Sequence, residues 1–407
     1  MRLGLLAACL LSTATMALAQ SDGWTVSDGW TASDDWTASD GWTDGRTSPS
    51  PSPSQNSSSS LGCGCSYPGL WLDVILVADS SSSMTQAGLQ TLLSYIATAS
   101  LQMSIGQQVG QVSRLGIVTY SDTATLRYAL TDFKNTDDII NAVFNVRLEG
   151  NGGSNIEDGI RVALNEFEKN GKGNYSNRKK VIIIAASHYE PGGSTDPQQA
   201  AATFRGNGGI IITIEYVQNH GTTVPILDSL ASNCSQLSNR NEDLRASDLL
   251  DKFCQANCFC SANWDPYSLD SKCYTPDNGC YSPVTIPAAW PLAQRYCAMQ
   301  NNATLPTVCD GPKAIFMTSL LKNRNEAQWT GLSRSSNGQF TWDDKTPYAN
   351  CYPDTNPKWL NGTATNGQAV AQLNPSGFVN GFFGAPQFTD YLYTCQNSPC
   401  SSTLYCS

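Results

Sequence analysis

Histidine is nearly absent: the 407-residue sequence holds two, His188 and His220. General acid–base catalysis draws on histidine more often than on any other side chain. The sequence also has no Gly-x-Ser-x-Gly elbow, no His-Glu-x-x-His pair and no Walker loop. Ser187 precedes His188, but neighbouring side chains on a strand point to opposite faces. An enzyme is not expected. Basic residues are scarce too, with 24 Lys and Arg against 34 Asp and Glu and a formal net charge of −10. That balance excludes nucleic acid, which needs a basic face. After the first twenty residues no apolar run approaches the ~18 residues of a membrane span. Cysteine is missing between Cys65 and Cys234, so this long middle stretch must rest on a hydrophobic core rather than on disulfides.

What is present points outward from the cell. Arg2, the apolar run Leu3 to Leu11 and then Ala17-Leu18-Ala19 have the form of a secretory signal, residues 1–19. Of 15 cysteines, Cys9 would leave with it, and the remaining even number can pair in an oxidising compartment. Residues 20–61 read as a disordered segment: a hexapeptide repeat carrying Trp24, Trp30, Trp36 and Trp42, then a Pro/Ser linker. Five Asn-x-Ser/Thr sequons, at Asn56, Asn174, Asn233, Asn302 and Asn361, are expected glycosylation sites.

From Leu72 to about Leu250 strands and helices alternate. Leu72 to Ala78, Leu115 to Tyr120, Val181 to Ala186 and Ile210 to Val217 are short, apolar and mostly β-branched, as strands covered on both faces are. Leu89, Leu92, Leu93 and Ile96 line one helix face, and Ile156, Ile160, Ala163, Leu164 and Phe167 another. The fold class expected is α/β, a doubly wound and mostly parallel sheet whose sites lie at the carboxyl ends of its strands. Past Asp251 the composition turns to Cys, Trp, Tyr, Asn, Pro and Gly, which reads as a disulfide-stapled α+β domain. Its one clear helix runs from about Pro287 to Met299, with Ala289, Leu292, Ala293 and Tyr296 on one side.

The strand DVILVADSSSSM, Asp73 to Met84, ends in Asp79, Ser81 and Ser83, and a later turn reads Gly152-Gly153-Ser154-Asn155. This Asp-x-Ser-x-Ser strand end resembles the metal-ion-dependent adhesion site of von Willebrand factor A (vWA) domains. The resemblance covers residues 62–252 and implies a Rossmann-like sheet with a Mg²⁺ or Mn²⁺ site built from Asp79, Ser81, Ser83 and Ser154. One element departs from the pattern: Ala186-Ser187-His188 stands where the family has Thr-Asp-Gly. Ser187 therefore replaces the second carboxylate of a cation usually held by one or two, and the expected site is a partial one of Asp79, Ser81, Ser83, Ser154 and Ser187.

WTGL at Trp329 to Leu332, the stretch Gly338 to Asn350 and the closing YLYTCQ at Tyr391 to Gln396 resemble C-type lectin-like domains, here residues 280–407, after a cysteine-rich connector at 253–279. That resemblance implies a Cys297–Cys395 bond. Cys260 and Cys280 are candidates to brace the first hairpin, with Cys258 and Cys273 as competitors. Cys400 and Cys406 can staple back to the domain or to a second chain. The family's second bridge has no partners here, Ala369 standing in one position. Its Ca²⁺ and sugar loops are replaced by Asn356-Pro357-Lys358 and GFFGAPQF, which argues against Ca²⁺. The two domains in this order resemble a group of secreted nematode proteins. The function implied is a secreted, non-enzymatic recognition protein for extracellular protein or glycan ligands, in innate immunity. The alternative is a structural or adhesive component of an extracellular matrix or mucus layer. The sequence leaves the oligomeric state open.

Overall fold

The computed structural model describes residues 61–189, 196–218, 221–240, 243–269, 273, 275–321, 326–351, 359–373 and 381–406. The expected signal, the Trp repeat, the linker with Asn56, His220 and the Asn356-Pro357-Lys358 loop lie outside them. The first part runs β1 (Leu72–Asp79), α1 (Gln86–Ser100), β2 (Arg114–Tyr120), β3 (Ala124–Tyr128), α2 (Thr136–Val143), α3 (Ile156–Asn170), β4 (Lys179–Ala186), α4 (Pro197–Gly206), β5 (Ile210–Glu215), α5 (Ile226–Leu230), β6 (Gln236–Ser238) and α6 (Ala246–Ala256). The sheet order is β3-β2-β1-β4-β5-β6. All pairings are parallel except β2 with β3.

Strand β1 is buried along its whole length, and its alternating side chains feed two cores. Val74, Leu76 and Ala78 pack with Leu89, Leu92 and Ile96 of α1 and with Leu249, Leu250 and Phe253 of α6. Ile75 and Val77 face Ile156, Ile160 and Phe167 of α3 and Phe204 of α4. Each such side chain contributes about 1.5–3 kcal/mol on burial. Helix α3 lies close to β1 because residue 159 is glycine; a Cβ there would stand 2.5 Å from Val77 Cγ1. At the amino end of β1 the fully buried Asp73 receives Arg114 through two hydrogen bonds, 2.8 and 2.6 Å, and Arg178 lies 3.6 Å away.

The second part runs β7 (Asp265–Pro266), β8 (Cys280–Ala288), α7 (Trp290–Met299), α8 (Gly311–Ser319), β9 (Gln328–Arg334), β10 (Phe340–Thr341), α9 (Tyr348–Cys351), β11 (Gln368–Leu373), β12 (Gly381–Pro386) and β13 (Tyr391–Asn397). Its sheet is mostly antiparallel, in the order β12-β11-β9-β13-β8-β7, with β10 on β9. Trp329 of β9 is fully buried and donates to the Ala288 carbonyl at 2.8 Å.

Two expectations about helices need correction. On α7 the buried side chains are Trp290, Ala293 and Cys297, whereas Leu292 is 63% and Tyr296 43% exposed. The Cys297–Cys395 bond and the Trp290 indole, which donates to Thr330 O at 2.9 Å, turn that face inward. Helix α8 is a second full helix in this part, started by the Asp310 side chain, which accepts from Lys313 N.

Seven disulfides pair every cysteine after Cys9. Cys260–Cys280 is formed, and the competitors pair elsewhere, Cys258 with Cys63 and Cys273 with Cys234. Cys65 joins Cys254, Cys309 joins Cys351, and Cys400 and Cys406 bond to each other rather than to another element or chain. The tail carrying that last bond lies against the foot of the first sheet. Trp71 donates to Ser401 O at 2.9 Å and packs edge-on against Tyr405, and Phe259 forms a β-bridge with Cys400.

Candidate functional site

The carboxyl end of β1 is where the expected site residues meet. The Asp79 side chain is fully buried, and both its oxygens are used: Oδ1 accepts from Ser81 N at 2.9 Å, and Oδ2 accepts from Ser187 N at 3.0 Å and Ser187 Oγ at 2.6 Å. Ser187 reaches it because β4 runs parallel beside β1, Ala78 opposite Ala185, so both strands end at the same level. A carboxylate removed from water needs such donors; a hydrogen bond to a charged acceptor contributes about 1.5–3 kcal/mol. Tyr120, fully buried at the end of β2, has its hydroxyl pushed well above the ordinary phenol range, first by burial and then by the Asp79 charge. It stays protonated and donates to Ala185 O at 3.4 Å.

Two loops close over this strand end. Ser82 N donates to Asn151 O, Gly150 N to Ser80 O and Glu149 N to Ser80 Oγ, which ties the Asp-x-Ser-x-Ser loop to the turn carrying Ser154. That turn requires glycine at 153, since a Cβ would come within 2.8 Å of the Asp122 Cα. Asn155 ends it by capping α3, its side chain accepting from Asp158 N at 3.1 Å. Ser81 is buried and its Oγ has no hydrogen-bond partner, Ser83 is exposed, and Ser154 is half-buried. The structure therefore joins Asp79, Ser81 and Ser187 directly and sets Ser83 and Ser154 on the adjoining loops. The sequence reading missed Glu149. Its carboxylate accepts from Thr119 Oγ1 at 3.2 Å, Ser121 Oγ at 2.7 Å and the Arg127 guanidinium, and no motif signals it.

The vWA adhesion pattern implies Mg²⁺ or Mn²⁺, ions that dehydrate reluctantly and are held through carboxylates. The unpartnered Ser81 hydroxyl is the one feature that favours a cation. Against it, the single carboxylate has both oxygens taken by donors of the chain, and Ser187 presents a hydroxyl proton where a second carboxylate would present charge. The residues present do not fit a resident Mg²⁺ or Mn²⁺.

In the second part, the WTGL tryptophan and Trp342 are core side chains. GFFGAPQF is β12 and its continuation, with Phe388 85% exposed, and Ala369 lies buried on β11. Of the sequons, Asn174, Asn233, Asn302 and Asn361 are all exposed. Among the described residues no helix is long and apolar enough to cross a membrane.

With this geometry in view, the family model of the von Willebrand factor type A domain matches residues 73–251, and that of the C-type lectin domain matches residues 286–377. The chain carries a vWA domain followed by a C-type lectin domain. C-type lectin domain-containing protein 160 of Caenorhabditis elegans is 26% identical over 230 residues, which are 56% of this chain and 36% of that protein. The chain thus spans about a third of the length of that relative. Among solved structures, proximal thread matrix protein 1 from the mussel byssus is 22% identical, with a TM-score of 0.39, over 48% of this chain and 49% of that one. A further structure of that mussel protein, with a zinc-occupied MIDAS motif, has a TM-score of 0.41 at 22% identity, over 48% of this chain and 50% of its own. The zinc is a property of the mussel protein. Both matched families are binding domains.

Proposed function

We propose that this is a secreted, non-enzymatic recognition protein that binds extracellular protein or glycan ligands in innate immunity. The observation that carries this reading is the stapling of the two binding domains into one body. Cys63–Cys258 and Cys65–Cys254 tie the start of the vWA domain to its last helix and the connector, and Cys234–Cys273 ties a vWA loop to the connector. The lectin tail then packs on Trp71. Two binding faces held this way act together, and each adds to the other's effective affinity when both are engaged. Full pairing of the cysteines supports secretion, because such bonds persist in oxidising compartments. At the carboxyl end of the vWA sheet, the exposed Ser83 offers a hydroxyl to a protein ligand, while Asp79 is held by Ser187 without help from a cation.

A glycan array probed with and without EDTA tests the reading. Binding that survives chelation is the expected result. No glycan bound in either condition overturns the sugar-binding form and leaves the matrix or mucus role as the better account.

A further inference from the structure

A cleft of about 640 Å³ opens at the opposite end of the vWA sheet, where the first residues of β4 and β5 meet the cysteine-rich connector. Lys179, the first residue of β4, lines it. This side chain is half-buried, and that burial lowers its pKa; among the described residues no carboxylate raises it again. Its Nζ lies over the Phe259 ring, 4.9 Å from the centroid. A cation–π contact of that kind offsets only part of the cost of removing a charge from water. Arg205 brings a second cation to the cleft, its Nη1 donating to the carbonyls of Ser229, Leu230 and Ala231 at 3.0, 2.8 and 2.5 Å. The cleft is lined by one carboxylate among the described residues, the exposed Asp228. The chain as a whole has ten more acidic than basic residues, whereas this lining has two cations to one carboxylate among the described residues.

The other walls identify the body that would carry the anion. Trp264 and Pro266 present flat apolar surface, and Gln255 and Thr275 present amide and hydroxyl groups. Aromatic faces suit the C–H face of a sugar ring, and amides and hydroxyls suit its hydroxyl groups. We propose that this junction cleft binds an acidic saccharide, a sugar ring carrying a carboxylate or a sulfate, with the anionic group on Lys179. The site is separate from the sheet end that carries Asp79 and from the lectin loops, so it stands or falls independently of the function proposed above.

The test is isothermal titration of the full chain with glucuronate, with 6-sulfated N-acetylglucosamine and with neutral glucose. The chain with Asn233→Gln is titrated in parallel, so that a glycan at the rim does not hide the cleft. At least one anionic sugar is expected to bind about tenfold or more tightly than glucose, and the carboxylate and sulfate arms tell which anion it is. Lys179→Gln, folded as judged by an unchanged melting temperature, should lose that preference, and Lys179→Arg should keep it. If Gln fails to fold, Lys179→Met takes its place. Equal binding of charged and neutral sugars, no binding of either anion at millimolar concentration, or full binding by a folded Lys179→Gln chain overturns the proposal.

Discussion

Replacing Ser187 by alanine removes one hydrogen bond of known geometry, the 2.6 Å donation from Ser187 Oγ to Asp79 Oδ2. Both residues are buried, so water does not supply the missing donor. Asp79 keeps two backbone N–H donors, Ser81 and Ser187, and the expected loss is about 2 kcal/mol, within the range for hydrogen bonds to charged groups. For a unit the size of residues 73–251 that lowers the melting temperature by roughly 4–8 °C. Scanning calorimetry reads it directly, with the disulfides intact. The informative companion is Ser187→Asp, which places a second carboxylate against the first. Without a cation the two repel, and the variant should melt below wild type in EDTA. With millimolar Mg²⁺ it should recover, because a ligand at about 100 times its Kd stabilises the native state by ~2.7 kcal/mol. Wild type should melt at the same temperature in both conditions. A wild-type rise of several degrees with Mg²⁺, or a Ser187→Asp chain indifferent to it, would refute the view that Ser187 stands in for the ion.

Asp73→Asn leaves Arg114 and Arg178 buried with no carboxylate, and should cost about 3–5 kcal/mol in urea unfolding. Trp71→Ala removes a fully buried side chain that holds the tail, and should cost about 3–5 kcal/mol and expose the chain around Ser401 to proteolysis. Burial lowers the Lys313 pKa from 10.5 to about 8, despite the opposing pull of Asp310 and Asp344. The native state therefore loses the lysine proton before the unfolded state does. Charging this buried lysine destabilises the fold fully below about pH 8, and the penalty fades as pH rises toward 10.5. Lys313→Met removes that penalty at every pH. Unfolding measured at about pH 7 and pH 9.5 should show wild type gaining roughly 2 kcal/mol relative to the variant at the higher pH.

The parts of this molecule legible in the sequence are those governed by local chemistry. The four apolar strands, the two amphipathic vWA helices and the Asp-x-Ser-x-Ser strand end were readable because burial on both faces and helical periodicity leave direct marks. Strand β3 left none. ATLRY is an edge strand whose central Thr125, Leu126 and Arg127 are exposed, and it exists because β2 offers it a ladder. The inward face of α7 was misread for a related reason. Leu292 and Tyr296 are apolar enough to be core, but the bond from Cys297 to Cys395 decides which way the helix turns, and that partner lies 98 residues away.

The candidate site divides in the same way. That Asp79 stands at a strand end follows from the sequence around it; that its charge is answered by Ser187 does not. The donor comes from a strand 108 residues later, and only the parallel register of β1 and β4 brings it level with Asp79. The same holds for Trp71, which stands just before the first strand and yet is held by a residue 330 positions away. Both contacts connect the centre of the vWA sheet to distant parts of the chain, one at each end of β1. Through β1 the closed carboxyl end and the lectin tail share one rigid element. A ligand that orders the hydroxyl loops over Asp79 therefore acts on a strand already anchored at its foot, and has less conformational freedom left to remove.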